Sequence, residues 1–137
     1  MRLFDERMIM DLYQEAENSE RKRSHLLLHK SHSETVQRLL IALVKGSFVE
    51  PHYHELANQW EMFIVMRGQL RIKLYDNLGN VVNDFTAGPE LPVSIVEFHP
   101  GDIHSVECIS DQALMMEVKE GPFNPKYAKA FPNWQVV

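Results

Sequence analysis

Glu61-Met62-Phe63-Ile64-Val65-Met66-Arg67-Gly68-Gln69-Leu70-Arg71-Ile72-Lys73-Leu74-Tyr75 reads as two strands folded about a glycine. Residues 61–67 and 69–75 each alternate with the two-residue repeat of a pleated strand, and Gly68 supplies the turn between them. Further along, Asp76-Asn77-Leu78-Gly79-Asn80 is a turn leading into Val81-Val82. Residues 93–98, 104–109 and 113–118 are more strands, punctuated by Pro100-Gly101 and Ser110-Asp111. Upstream, residues 35–43 alternate too, with Val36, Arg38, Leu40 and Ala42 on one side and Leu39, Ile41 and Leu43 on the other. Ser31 and Glu34 also fit the capping box of a helix there, but Gly46 and the strand-like run after it favour a strand. Leu26-Leu27-Leu28 makes a short one. Around eight short strands with no helices between them point to a closed or double-sheet all-β fold of the jelly-roll kind, and against a parallel α/β sheet.

The flanks differ. Phe4, Met8, Leu12 and Ala16 recur every four residues with Ile9 beside them, among acidic positions, so residues 5–18 are expected to form one amphipathic helix lying on the sheet. The tail carries Pro122, Pro125 and Pro132, which rules out a regular central strand. Tyr127, Phe131 and Trp134 are its expected anchors.

At 137 residues the chain is expected to be a single domain, 1–137, and the helix, strands and tail divide it at 5–18, 21–118 and 119–137. Hydrophobic residues make up 45% and charged residues 24%, which excludes a disordered chain. Lysine plus arginine is 14 against 19 acids, a net charge of -5, which argues against a general nucleic-acid binder. The single cysteine, Cys108, excludes an intrachain disulfide framework and is expected to be a buried core residue. No run approaches the roughly 20 apolar residues of a membrane span, and the start lacks the apolar stretch of a signal peptide. The expectation is a cytoplasmic protein with neither nucleic-acid nor membrane partners.

The residues that carry chemistry are His52, His54, Glu61 and His104. Residues two apart on a strand share a face, so His52 and His54 present their imidazoles side by side. Glu61 heads a face otherwise made of Phe63 and Val65, where a carboxylate is costly unless it is paired. An arginine partner or a metal ion would each satisfy it. His104 opens a later strand that antiparallel pairing can bring opposite the first two histidines. Three imidazoles and one carboxylate suit a divalent transition metal, iron, zinc, manganese, nickel or copper, and are too poor in oxygen for calcium. His25, His29 and His32, with Arg21, Arg23 and Lys30, make a basic stretch that is either a solvated loop or an anion-attracting rim.

Gly46, His52-Tyr53-His54, Glu61 and Gly68 together resemble the first cupin motif, and Pro100-Gly101-Asp102-Ile103-His104 resembles the core of the second. Val36-Gln37-Arg38-Leu39-Leu40, Gly46-Ser47-Phe48-Val49-Glu50-Pro51-His52, Trp60-Glu61 and Glu117-Val118-Lys119-Glu120-Gly121-Pro122 are similar to the WbuC-type family of small cupin-fold metalloproteins. The resemblance covers most of residues 21–134. It implies a cupin double-stranded β-helix barrel with one divalent metal inside, held by His52, His54, Glu61 and His104. Two features depart from the usual pattern. Six residues separate His54 from Glu61, so Glu55 competes as a ligand although Glu61 keeps the spacing to Gly68. Cys108 stands where the second motif has an asparagine.

The resemblance points to bacterial surface-polysaccharide biosynthesis. The leading reading is therefore a metal-dependent isomerase or epimerase of a sugar or sugar-nucleotide. A non-catalytic metal- or sugar-binding module and an iron-dependent dioxygenase are the alternatives. The partner is a small polar or anionic molecule, with Arg38 and Tyr53 as substrate-binding candidates, followed by Trp60 and Glu97. Phe63, Val65, Val106 and Met115 are expected to wall the site. Met62, Ile64 and Met66 give one strand a second apolar face, to be covered by the helix or by the second subunit of a homodimer.

Overall fold

The computed structural model describes residues 1–134; positions 135–137 of the expected tail lie outside the described residues. One helix, α1 (Glu6–Asn18), precedes nine strands: β1 (Arg23–Leu27), β2 (Val36–Val44), β3 (Phe48–His52), β4 (Glu61–Arg67), β5 (Leu70–Tyr75), β6 (Val81–Ala87), β7 (Ile95–Phe98), β8 (Ile103–Cys108) and β9 (Gln112–Glu120). They form two antiparallel sheets, ordered β1-β2-β9-β4-β7 and β3-β8-β5-β6. The inner faces meet in a core that includes Leu43, Phe63, Leu70, Ile72, Phe98 and Val106.

The helix starts where Asp5, its N-cap, accepts a hydrogen bond from the Met8 amide at 3.1 Å. Its buried stripe is Ile9, Leu12, Tyr13 and Ala16, set against Leu28, Leu40, Ala42, Val44 and Leu114. Of the expected series, Leu12 and Ala16, with Ile9 beside them, belong to this stripe and Phe4 and Met8 do not. Each step of four overshoots a turn by about 40°, so Met8 rotates out to 37% exposure, while Phe4 precedes the N-cap and is 39% exposed.

Strand β2 explains why its periodicity was ambiguous. Leu39, Ile41 and Leu43 enter the core between the sheets, while Leu40, Ala42 and Val44 lie under the helix. Both faces are buried, so the run has no polar side to reveal a period. The strand reading holds, and the capping-box helix does not form. At Gly68, φ is +72°, and a Cβ there would fall on the Gln112 carbonyl and lie 2.9 Å from Ala113 Cα. The β5–β6 turn is held by Asp76, whose Oδ1 accepts from the amides of Leu78 and Asn80 at 2.9 Å.

Two boundaries are corrected. Strand β1 begins at Arg23 rather than Leu26, because residues 23–27 pair with β2 from Leu43 back to Leu39. Strand β9 runs to Glu120, because its pairing with β2 continues to Val36↔Glu120, so 119 and 120 are strand and not irregular tail. Among its described residues the remaining tail makes a 3-10 turn at Pro125–Tyr127 and the bridge Tyr53↔Ala130. Trp134 anchors it on Tyr75, ring centroids 5.5 Å apart, whereas Phe131 stays 44% exposed. The helix covers the outer side of β1 and β2, leaving Met62 and Ile64 half-buried and Met66 42% exposed.

Candidate metal centre

The two sequence motifs meet at one ladder. Strand β3 is an edge strand paired with β8, and its register shifts between Val49 and His52. Pro51 sits in that irregular stretch, which suits a residue that has no amide to give a ladder. Val49 faces inward, and unbroken alternation would put His52 outside. The bulge instead turns His52 in, register partner to His104. The turn before β8 is tied to the first motif by the Gly101 amide, which donates to the His54 carbonyl at 2.9 Å.

Glu61, Phe63 and Val65 point inward from β4, with Glu61 only 3% exposed. Its Oε1 lies 2.9 Å from His104 Nε2 and its Oε2 lies 3.3 Å from His54 Nε2. His52 and His104 are equally buried, at 4% and 0% exposure. One ligand atom from each of His52, His54, Glu61 and His104 falls within 4.8 Å of the others. Glu55 is exposed and stands apart from this group, so the choice of Glu61 is supported.

The hydrogen bonds around the cluster test whether it suits a cation. Nδ1 of His52 donates to the Glu50 carbonyl at 2.8 Å, and Nδ1 of His104 to the Asp102 carbonyl at 2.9 Å. Those bonds assign the proton to Nδ1 in each neutral ring and leave a lone pair on Nε2. Burial, reinforced by the neighbouring His104, pushes His52 down to about 3, so its imidazole stays neutral. For Glu61, burial opposes ionisation, but its interactions with His104, His54 and Glu117 outweigh that and hold the carboxyl well below its usual range. Lone-pair nitrogens therefore confront a carboxylate. His54 Nε2, His104 Nε2 and Glu61 Oε1 are all buried with no hydrogen-bond partner. Two imidazole lone pairs, of His52 and His104, thus converge with a buried carboxylate, an arrangement costly alone and favourable around a cation. The cluster fits one divalent transition metal ion.

Glu117 was not singled out in the sequence. It lies on β9 opposite Phe63 and is 8% exposed. Burial, then the charge of Glu61 beside it, pushes its carboxyl well above the usual range, so it keeps its proton. The available signal was weak: an acid between Met116 and Val118, read only as part of a family pattern.

A cavity of about 630 Å³ opens onto the cluster. His52, His54, Glu61 and Glu117 line its floor, with Phe63, Val106 and Met115 in its wall as expected. Val65 is buried in the core and does not reach it. Arg21, Arg23, His25, Lys119 and Lys129 also line it. A much narrower cleft, about 30 Å³ and lined in part by Trp60, Gln59 and Asn124, reaches His54 and Glu61.

Other nominated residues go elsewhere. Arg38 faces away from this cavity and pairs with Glu34 at 3.4 Å. Tyr53 makes the backbone bridge to Ala130 and lines a separate hollow with Phe131 and Pro132. Trp60 lines only the narrow cleft, its Nε1 donating to Glu120 at 3.0 Å, and Glu97 is exposed on β7. His29 is buried, with its Nδ1 accepting from the Arg38 amide at 3.0 Å, and with His32 it lines a third hollow. Cys108 is buried, its thiol pushed up by burial, which makes it inert.

Residues 4–87 match the family model described as Domain of unknown function (DUF6016), a span that includes His52, His54 and Glu61. No curated protein matches the chain. Among solved structures it is similar to a cupin superfamily protein from Desulfitobacterium hafniense DCB-2, at 15% identity and a TM-score of 0.55, over 72% of this chain and 76% of that one. It is also similar to the capsular polysaccharide assembling protein CapF from Staphylococcus aureus, at 19% identity and TM-score 0.67, over 82% of this chain but 32% of that one. KdgF from Halomonas sp. matches at 12% identity and TM-score 0.59, over 76% and 82% of the two chains. These likenesses show a cupin-type double sheet with one helix ahead of it.

Proposed function

We propose that the chain, which belongs to the DUF6016 family, is a metal-dependent isomerase or epimerase acting on a sugar or sugar-nucleotide in bacterial surface-polysaccharide biosynthesis. The observation that carries the metal part is the convergence of Nε2 lone pairs on the Glu61 carboxylate. The substrate part draws on the WbuC-type motif likeness and on the similarity to a capsular polysaccharide assembling protein. That similarity is confined to about a third of the larger chain.

His52, His54, Glu61 and His104 would hold the ion, which when bound supplies Lewis acidity for polarising a carbonyl or hydroxyl oxygen. The rest falls to this chain's own groups. The Phe63, Val106 and Met115 wall limits water at the floor. Glu117 holds a proton beside the cluster and is the group placed to exchange one with a bound molecule. The uncovered apolar strip at Met62, Ile64 and Met66 supports a homodimer as part of the same reading.

The test is turnover. Metal-loaded protein is incubated with a panel of nucleotide-linked sugars, and products are followed by NMR for proton exchange at a ring carbon. Exchange abolished by Glu61→Gln supports the proposal. Metal-dependent retention without chemical change favours a binding module, and oxygen consumption with iron favours a dioxygenase. Either outcome overturns it.

A further inference from the structure

The chain as a whole is acidic, with a net charge of -5, yet the cavity over the cluster is not. Arg21, Arg23, Lys119 and Lys129 all line it, against two carboxyl groups at the floor, Glu61 and Glu117. Four cationic side chains therefore face two carboxyl groups across this one cavity.

These four cations arrive from separate parts of the fold. Arg21 precedes β1, Arg23 begins it, Lys119 lies near the end of β9, and Lys129 belongs to the tail. The basic stretch around Arg21 and Arg23 supplies only half of the group. Among the described residues none of the four takes part in a side-chain ion pair. Glu20 and Glu50 share an adjoining hollow with Arg21, Arg23 and Lys129, and Glu50 favours the charge on Arg23. Even so, burial and then the repulsion of Arg23 and Arg21 push the Lys129 ammonium down. A crowd of like charges in a concave, part-apolar site destabilises itself and focuses field on whatever anion enters. His25, at the same mouth, is pushed down to about 4 by burial and by Arg21 and Arg23, so it adds a hydrogen-bonding ring rather than a charge.

The position relative to the cluster matters most. Lys119 is the register partner of Glu61 across β4 and β9. Directly opposed strand residues stand about 5 Å apart at Cβ, so the basic group begins one strand away from the proposed metal ligands. A cavity of about 630 Å³ is of the size that takes a small molecule.

We propose that the cavity mouth is an oxyanion subsite. Arg21, Arg23, Lys119 and Lys129 receive a phosphate or carboxylate group of a ligand whose other oxygens face His52, His54 and Glu61. This deepens the functional reading above and rests on it for the second half only. The ligand class is an acidic sugar derivative, either a sugar phosphate or a sugar acid.

The experiment uses calorimetric titration of the full-length, metal-loaded protein with three probes: glucose, glucose 6-phosphate and glucuronate. The charged probes are expected to bind at least about tenfold more tightly than glucose, with affinity falling as salt rises. Comparing the two charged probes separates phosphate from carboxylate recognition. The double variant Lys119→Gln/Lys129→Gln should lose about tenfold in charged-probe affinity while metal content stays at the wild-type value. Lys129→Glu, at a position open to water by area although protein atoms and cations surround its ammonium, repeats the test. Equal binding of glucose and the charged probes, or unchanged affinity in both variants, overturns the subsite. A chain that binds no metal but still prefers the charged probes through Lys119 and Lys129 would instead overturn the metal reading and leave the subsite standing.

Discussion

His52 and His104 face each other across the β3–β8 ladder with ring centroids 4.4 Å apart, and each is locked by the same local bond. In both, Nδ1 donates to the carbonyl two residues earlier, Glu50 or Asp102. The backbone thus sets the tautomer twice over, and both rings offer Nε2 to the same space. Orientation of a ligand by its other nitrogen is what makes an imidazole site selective and tight.

Removing either ring should therefore act on metal content before it acts on the fold. His52→Ala and His104→Ala are each expected to lower metal affinity at least about tenfold, measured by elemental analysis after dialysis against a weak chelator. Asp102→Asn keeps the carbonyl that His104 uses, and its metal content should match wild type. Full metal occupancy in His52→Ala would remove His52 from the ligand set.

Phe98 supports His104 from behind. The two rings stack at 3.8 Å between centroids and 12° between planes, and Phe63 meets Phe98 edge-on at 5.1 Å. Phe98 is 2% exposed, so Phe98→Ala should cost about 3–5 kcal/mol of stability. Phe98→Leu fills most of the volume without the flat face. Its urea midpoint should fall less than that of the alanine variant, while its metal affinity still drops because His104 loses its stacking partner. Unchanged affinity in Phe98→Leu would show that the stack does not orient the ring.

Much of this site was legible beforehand, for identifiable reasons. His52, Glu61 and His104 lie at or near strand ends and His54 two residues past one, where spacing of two and a lone acid on an apolar face leave a visible mark. His52 and Glu61 were readable on those grounds, although the bulge that turns His52 inward was announced only by Pro51. Glu117 left no such mark, since its meaning depends on Glu61 arriving from another strand. The basic mouth was visible in half: the stretch from Arg21 to His32 suggested an anion-attracting rim, and Arg21, Arg23 and His25 do line the cavity, but His29 and His32 line another hollow, and Lys119 and Lys129 are too far away in sequence for anything local to connect them. Arg38 misled because strand alternation gives two faces without saying which is inside. On β2 both are buried further along, and Arg38 shares the side of Leu40, under the helix.

Two glycines separate strain from collision. Gly68 and Gly101 both have positive φ, +72° and +89°. A Cβ at Gly101 meets nothing within 4 Å, whereas one at Gly68 runs into the backbone of Gln112 and Ala113. Gly101→Ala should cost about 1–2 kcal/mol, the backbone penalty alone. Gly68→Ala carries that penalty plus the displacement of β9, and is expected to lose more than twice as much in equilibrium urea unfolding. Equal losses would mean that the β4–β5 turn can move away from β9 at no cost.

The pH dependence of the metal-free protein follows in part from His25. Burial, then Arg21 and Arg23, lowers its folded value to about 4, against 6.5 for an ordinary imidazole. The ring is open to water by area because it lines an open cavity, yet protein atoms and cations surround it. As pH falls from 6.5 towards 4, the unfolded chain takes up a proton at this position that the folded chain refuses. The unfolded state then binds more protons, so stability decreases with falling pH across that window. His25→Gln removes the difference in proton uptake. The loss of urea midpoint between pH 7 and pH 5 should accordingly be smaller in the variant than in wild type, with both measured after chelation. An equal loss in the two proteins would show that His25 titrates normally and that the cations at the mouth lie too far away to act on it.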